Sequence, residues 1–108
     1  MTHFRQAVEI DPDKAALRLL LGGALEQSGQ MEAAIAEYQT AVKLEPGFLM
    51  ARSRLGQLLL RAGRPEDAIP HLAEAARISP KDTQIAALLD AARQQVEKQQ
   101  HQPVPASP

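Results

Sequence analysis

The sequence predicts an all-α chain, and three observations carry that prediction. Ala and Leu dominate the 108 residues while Val, Ile and Thr are scarce, and Gln, Glu, Arg and Lys fill most other places. These are the residues that lose least on entering a helix. Apolar positions recur every three or four residues, as in Leu17, Leu21, Ala24 and Leu25 and again in Leu55, Leu58, Leu59 and Ala62. No stretch alternates as a half-buried strand does. The punctuation is also periodic: Pro12, Pro46 and Pro80 stand 34 residues apart, and Gly22 with Gly56 and Gly29 with Gly63 share that interval. Sliding 12–45 onto 46–79 superimposes Arg18 on Arg52, Leu21 on Leu55, Leu25 on Leu59, Ala34 on Ala68, Ile35 on Ile69 and Ala41 on Ala75. Each period is an amphipathic segment, a glycine stop, a second amphipathic segment and a proline, which makes it a helix–turn–helix unit.

The elements follow in order. A first helix is expected over 3–10, where Phe4, Ala7, Val8, Ile10 and Pro12 align with Tyr38, Ala41, Val42, Leu44 and Pro46. The sequence therefore opens on the second helix of a unit whose first helix is lacking. Two readings stand: it is a piece of a longer array, or the uncovered apolar face of 3–10 pairs with another copy through Phe4 and Val8. The next helix, 14–28, ends at Gly29, which suits a left-handed C-cap. Gly22 inside it costs about 1 kcal/mol relative to Ala, so a neighbouring helix is expected to pass too close there for a side chain. Helix 32–45 carries Ala34, Tyr38 and Ala41 and is stopped by Pro46. Helix 48–62 repeats the first pattern with Gly56 and Gly63.

Helix 66–78 opens on Glu66 and Asp67, whose charge offsets the helix dipole, and closes before Pro80. The last helix, 82–99, has Ile85, Leu88, Leu89, Ala92 and Val96 on one face. Its other face is polar, with Asp90 where a unit would have glycine, so it reads as a capping helix that keeps the outer surface wet. The tail, with Pro103, Pro105 and Pro108, is expected to be disordered. The organisation is thus an incomplete unit over 1–12, full units over 13–46 and 47–80, a cap over 81–99 and a tail over 100–108.

The order Leu-Gly, turn glycine, Ala, aromatic or Leu, Ala and closing Pro resembles the tetratricopeptide repeat (TPR). The residues that carry the resemblance are Leu21-Gly22, Leu25, Gly29, Ala34, Tyr38, Ala41 and Pro46, then Leu55-Gly56, Leu59, Gly63, Ala68, Leu72, Ala75 and Pro80. Arg18 and Arg52 stand where the family often has Trp. The resemblance implies a right-handed α-α superhelix of antiparallel helix pairs, a TPR-like solenoid, whose first helices line a concave groove.

Composition narrows the function. With 12 Lys and Arg against 13 Asp and Glu, the net charge of −1 supplies no field for a phosphate backbone, so nucleic acid is excluded as a partner. Three aromatic rings, Phe4, Tyr38 and Phe48, with no Trp, build no base-stacking platform. The absence of Cys removes disulfides, thiolate nucleophiles and Cys-ligated zinc. The densest apolar run, from Leu17 to Leu25, is broken by Arg18 and Gly22-Gly23 and falls short of the roughly 20 residues of a membrane span. Met1-Thr2-His3-Phe4-Arg5-Gln6 shows no secretory pattern, which leaves the cytoplasm as the default location.

The search for chemistry is short. His3 and His71 lie two periods apart in the stack, on helices separated by more than one interaxial distance of about 10 Å, so they cannot share a metal. With His101 they read as solvent-side histidines. Ser28, Ser53 and Ser79 have no nearby His and orienting carboxylate, and Gly22-Gly23 is too short to cradle phosphate. No catalytic residue, metal site or cofactor is expected.

What remains is the groove. Helix 14–28 offers it Ala16, Leu19, Gly23, Glu26 and Gln27. Helix 48–62 offers Met50, Ser53, Arg54, Gln57, Leu60 and Arg61, and the cap offers Gln84, Ala87, Ala91 and Gln94. Between Pro46 and Pro65 stand arginines 52, 54, 61 and 64 and no acid, with Arg54, Gln57 and Arg61 on one stripe. One reading is an acidic or C-terminal carboxylate partner, since guanidinium suits carboxylate. The other is a solvated face whose arginines pair with Glu26 and other neighbours. Family members that grip chaperone termini use a Lys, Asn and Arg clamp. The corresponding places here hold Leu19, Gly23, Arg54, Gln84 and Leu88, of which only Arg54 matches. The expectation is a non-catalytic protein–protein interaction module that docks a peptide or helix on apolar anchors with acidic flanks. The alternative is a homo-oligomer joined through the N-terminal helix.

Overall fold

The computed structural model describes residues 14–101, and the expected helix over 3–10 lies outside them. The described residues form five helices: α1 (Ala15–Gln27), α2 (Met31–Leu44), α3 (Leu49–Arg61), α4 (Pro65–Ile78) and α5 (Thr83–His101). The first four agree with the sequence-based bounds to within one residue at each end. The fifth runs two residues past the expected 99, because Glu97, Lys98, Gln99 and Gln100 favour helix and no breaker stands before Pro103. Residues 102–108 lie outside the described part.

Each helix packs on its successor, α1 on α2, α3 on α4 and α4 on α5, while α2 joins the two units by packing against α3. The turns within the units are the same structure made twice. Gly29 and Gly63 have φ of +80° and +76°, where an L side chain is strained. After α1, Gln30 N–H donates to Leu25 O at 2.9 Å and Gly29 N–H to Glu26 O at 3.1 Å. After α3, Arg64 N–H donates to Leu59 O at 2.9 Å and Gly63 N–H to Leu60 O at 3.1 Å. This Schellman pairing satisfies carbonyls that the helix end would leave bare. The joints after α2 and α4 also match: Phe48 N–H donates to Glu45 O at 3.0 Å, and Asp82 N–H to Ser79 O at 3.2 Å.

Glycine inside a helix has the reason expected of it. A Cβ built on Gly22 would stand 2.6 Å from Cε1 of Tyr38, and one on Gly56 would stand 2.5 Å from Cδ2 of Leu72. Both obstructing side chains are fully buried. They are themselves one period apart, so a single close helix crossing is repeated. Around these crossings Leu21, Leu25, Ile35, Leu55, Leu58 and Leu59 complete one core that continues to Leu89 and Ala92 of α5.

Arg18 and Arg52 do not simply point to water. Arg18 Nη1 donates to Glu37 Oε2 at 3.0 Å, tying α1 to α2. One period on, Arg52 Nη1 stands 3.2 Å from Nδ1 of His71, tying α3 to α4, and its Nε donates to Pro46 O at 3.0 Å. A polar link thus crosses each helix pair at the same position of the repeat. At the other end of the chain α5 gains a cap that its predecessors lack. Asp82 Oδ1 accepts from the N–H groups of Gln84 at 3.0 Å and Ile85 at 3.2 Å, which satisfies donors orphaned at a helix start. Asp90, at the glycine position, is exposed and accepts from Gln94 Nε2 at 3.3 Å.

Candidate functional site

Because the helix pairs are joined mainly through α2 and α3, the two first helices α1 and α3 scarcely touch. A hollow of about 290 Å³ opens between them, lined by Leu19, Leu20, Gly23, Ala24, Gln27, Met50 and Arg54. Leu20 is 49% exposed and Met50 52%, the highest values among the large apolar side chains of the described residues. Both face this hollow. It continues into a polar stretch that shares Gly23, Gln27 and Arg54 and adds Glu26 and Arg61.

The floor is set by Gly23. A Cβ there would stand 3.8 Å from the Tyr38 hydroxyl and meet nothing closer, so a methyl group would find room at this position. Tyr38 donates to Glu26 Oε1 at 2.8 Å, and Arg61 Nη1 donates to Glu26 Oε2 at 2.8 Å. Each oxygen of Glu26 therefore has its own donor. Burial of the ring, with the bond to Glu26 and its negative charge, pushes the Tyr38 pKa up to about 12, against smaller pulls from the charge of Arg54 and from its hydrogen bond with the phenol.

The four arginines divide. Arg52 is held by Pro46 and His71. Arg61 is held by Glu26, and Arg64 bonds Asp67 at 3.0 Å and lies 3.6 Å from Glu32. Arg54 is exposed on the rim of the hollow, and among the described residues no ion pair engages it.

Of the residues expected to line a groove, Leu19, Gly23, Glu26, Gln27, Met50, Arg54 and Arg61 come together here. Ser53 is half-buried and its hydroxyl donates to Met50 O at 3.4 Å, Leu60 packs on the core, and Gln57 is exposed beside the hollow's helices but lines neither part. Gln84, Ala87, Ala91 and Gln94 are exposed on α5, likewise outside both parts. Phe4 and Val8 lie outside the described residues. Leu20 and Ala24 line the hollow without having been expected there. The signal for Leu20 was the run Leu19-Leu20-Leu21, since three consecutive leucines span a wider arc than one packed face covers. Among the described residues no cluster of His, Cys, Asp and Glu fits a metal ion, and no helix is long and apolar enough to cross a membrane.

Antiparallel helix pairs that repeat both their turns and their close crossings, with a hollow between the first helices, define an α-solenoid. The chain belongs to the tetratricopeptide-repeat family, whose sequence model matches residues 1–47 and 27–92. No curated protein is similar enough in sequence to count as a relative. Among solved structures, the MamA RS-1 ArsTM double mutant superimposes with a TM-score of 0.83 at 24% identity over 90% of this chain. This chain spans 55% of that one. The first TPR of Spaghetti (RPAP3), bound to the HSP90 peptide SRMEEVD, gives 0.81 at 18% identity, covering 87% of this chain and 75% of that one. The TPR2B domain of yeast Sti1, in its pHsp70 complex, gives 0.75 at 20% identity over 85% and 78%. At these identities the likeness is one of fold.

Proposed function

We propose that this chain is a non-catalytic protein-interaction module that takes a peptide segment or helix of a partner protein in the hollow between α1 and α3. The observation that carries the reading is the pairing of Leu20 and Met50, about half exposed on two different helices and turned into one hollow beside Arg54. Apolar surface left in water is recovered on docking at roughly 25 cal/mol per Å². Of two solenoids of the same fold, one is bound to an HSP90 peptide and the other is in a complex with pHsp70, which favours this use of the groove.

The test is capture of partners on the intact chain beside a Leu20→Glu/Met50→Glu variant, with thermal unfolding measured for both. Both side chains are largely outside the core, so the variant is expected to fold and to lose the partner. A partner retained equally by the folded variant overturns the assignment. Arg61→Glu is a poor probe of binding, because it would set a second carboxylate against Glu26 and disturb the link between α1 and α3.

A further inference from the structure

The groove has one arginine to give and two apolar walls, and the two are adjacent. Arg54 lines both parts of the hollow, with Leu20 and Met50 on one side of it and Glu26 and Arg61 on the other. Arg61 is withheld: its guanidinium is 2.8 Å from Glu26, and Glu26 is fixed from behind by the Tyr38 hydroxyl. The Tyr38 hydroxyl also lies within hydrogen-bonding reach of Arg54, a neutral partner that leaves the guanidinium charge unmatched. No acidic side chain lies between 47 and 64 to serve Arg54 from its own helix.

We infer that the segment selected by this groove carries a large apolar side chain, seated between Leu20 and Met50, and one Asp or Glu side chain close to it in sequence, whose carboxylate bonds Arg54. This rests on the peptide-binding reading above and narrows it. Charge sets the number of acids. A second carboxylate further along would meet Glu26, whose negative charge already uses Arg61, so an acidic run gains nothing over a single acid. Geometry favours a side chain over a chain end. The hollow continues past Arg54 in both directions, which lets a chain pass through, and among the described residues the one other polar side chain that lines both parts is the uncharged Gln27.

The experiment selects internal 12-residue peptides from a random display library on the intact chain. The best binders are then made with acetylated and amidated ends and titrated by fluorescence anisotropy. Selected peptides are expected to pair Leu, Ile, Met or Phe with one Asp or Glu within four positions. Replacing that acid by its amide is expected to weaken binding by about 10-fold or more, the usual worth of a hydrogen bond between charged groups. The loss should vanish in Arg54→Gln, a substitution at an exposed residue. In Glu26→Gln, which releases Arg61, peptides with two acids should become the tighter ligands.

Peptides without an acid, or peptides whose acid is insensitive to Arg54→Gln, overturn the inference while leaving groove binding intact, provided that Leu20→Glu/Met50→Glu abolishes their binding. Binders that need a free C-terminal carboxylate overturn the choice of a side chain. If no peptide is selected, or if selected peptides bind the Leu20→Glu/Met50→Glu chain equally well, both this inference and the groove reading fall.

Discussion

Arg52 and His71 meet at 3.2 Å through Nη1 and Nδ1, in the place where the preceding unit sets Arg18 against Glu37. A guanidinium has no lone pair to offer, so His71 accepts at Nδ1 and must be neutral, with its proton on Nε2. Burial, then the charge of Arg52, holds its pKa below the ordinary 6.5, with Asp67 pulling weakly the other way. The unfolded chain therefore binds the proton more readily than the folded one. The contact contributes its full stability above pH 6.5 and loses it as pH falls through the lowered value. His71→Glu should rebuild the link found between Arg18 and Glu37 and flatten stability between pH 6.5 and the carboxylate range. Urea unfolding of both chains from neutral pH downward checks this; parallel pH profiles would contradict it.

The adjacent glycines of α1 should respond in opposite directions. At Gly22 a methyl group would run into the buried ring of Tyr38, and overpacking of this kind costs about 1–3 kcal/mol. That outweighs the gain of roughly 1 kcal/mol in helix propensity. Gly22→Ala should destabilise, and Gly56→Ala should do the same against Leu72. At Gly23 nothing is closer than 3.8 Å, so Gly23→Ala should stabilise the fold. Thermal unfolding of the three variants reads the signs directly.

The turn glycines test backbone strain rather than space. A Cβ on Gly29 or Gly63 meets no atom, yet φ near +80° disfavours any L residue. Alanine at either place should cost about 1–2 kcal/mol, and asparagine less, since its side chain tolerates the left-handed region. Equal losses from alanine and asparagine in urea titrations would point away from this account.

Tyr38 can be followed alone, because the chain has one Tyr and no Trp. Alkaline titration by ultraviolet absorbance should place its ionisation near 12 in the folded chain and near the ordinary value of about 10 in strong denaturant. The raised value means that stability from this group is complete below pH 10 and declines as pH climbs toward 12. Glu26→Gln should lower the folded value by removing the carboxylate that holds the phenol proton. An unchanged titration in that variant would separate Tyr38 from Glu26.

The repeat, the helices and their stops were legible because they are written in local chemistry: glycine where φ must be positive, proline where a helix must end, leucine at helical spacing. The groove was legible in part. Leu19, Gly23, Met50 and Arg54 follow from a helical wheel once the first helices are known to face one another. The division among the arginines did not follow. Arg61 meets Glu26 across 35 residues of sequence and one intervening helix, α2; a pairing of the arginines with Glu26 was one of the two readings, but no local pattern says that Arg61 takes it and Arg54 does not. The places of Arg18 and Arg52 were likewise hidden, since a wheel gives the direction of a side chain and not the identity of what it reaches. Leu20 was missed although it stands in a run of three consecutive leucines, whose arc is wider than one packed face.

The joints at Glu45–Phe48 and Ser79–Asp82 are superimposable in their backbone hydrogen bonds. The chain can therefore be cut at one and spliced at the other without remaking either surface. Changes of length at these seams are quantised: insertion or removal of 34 residues leaves every Gly22-type crossing facing its own Tyr38 or Leu72, while any other increment throws the following helices out of phase. Growth by whole-unit duplication is the evolutionary step that such a seam permits, and shuffling of units bearing different groove residues is its corollary.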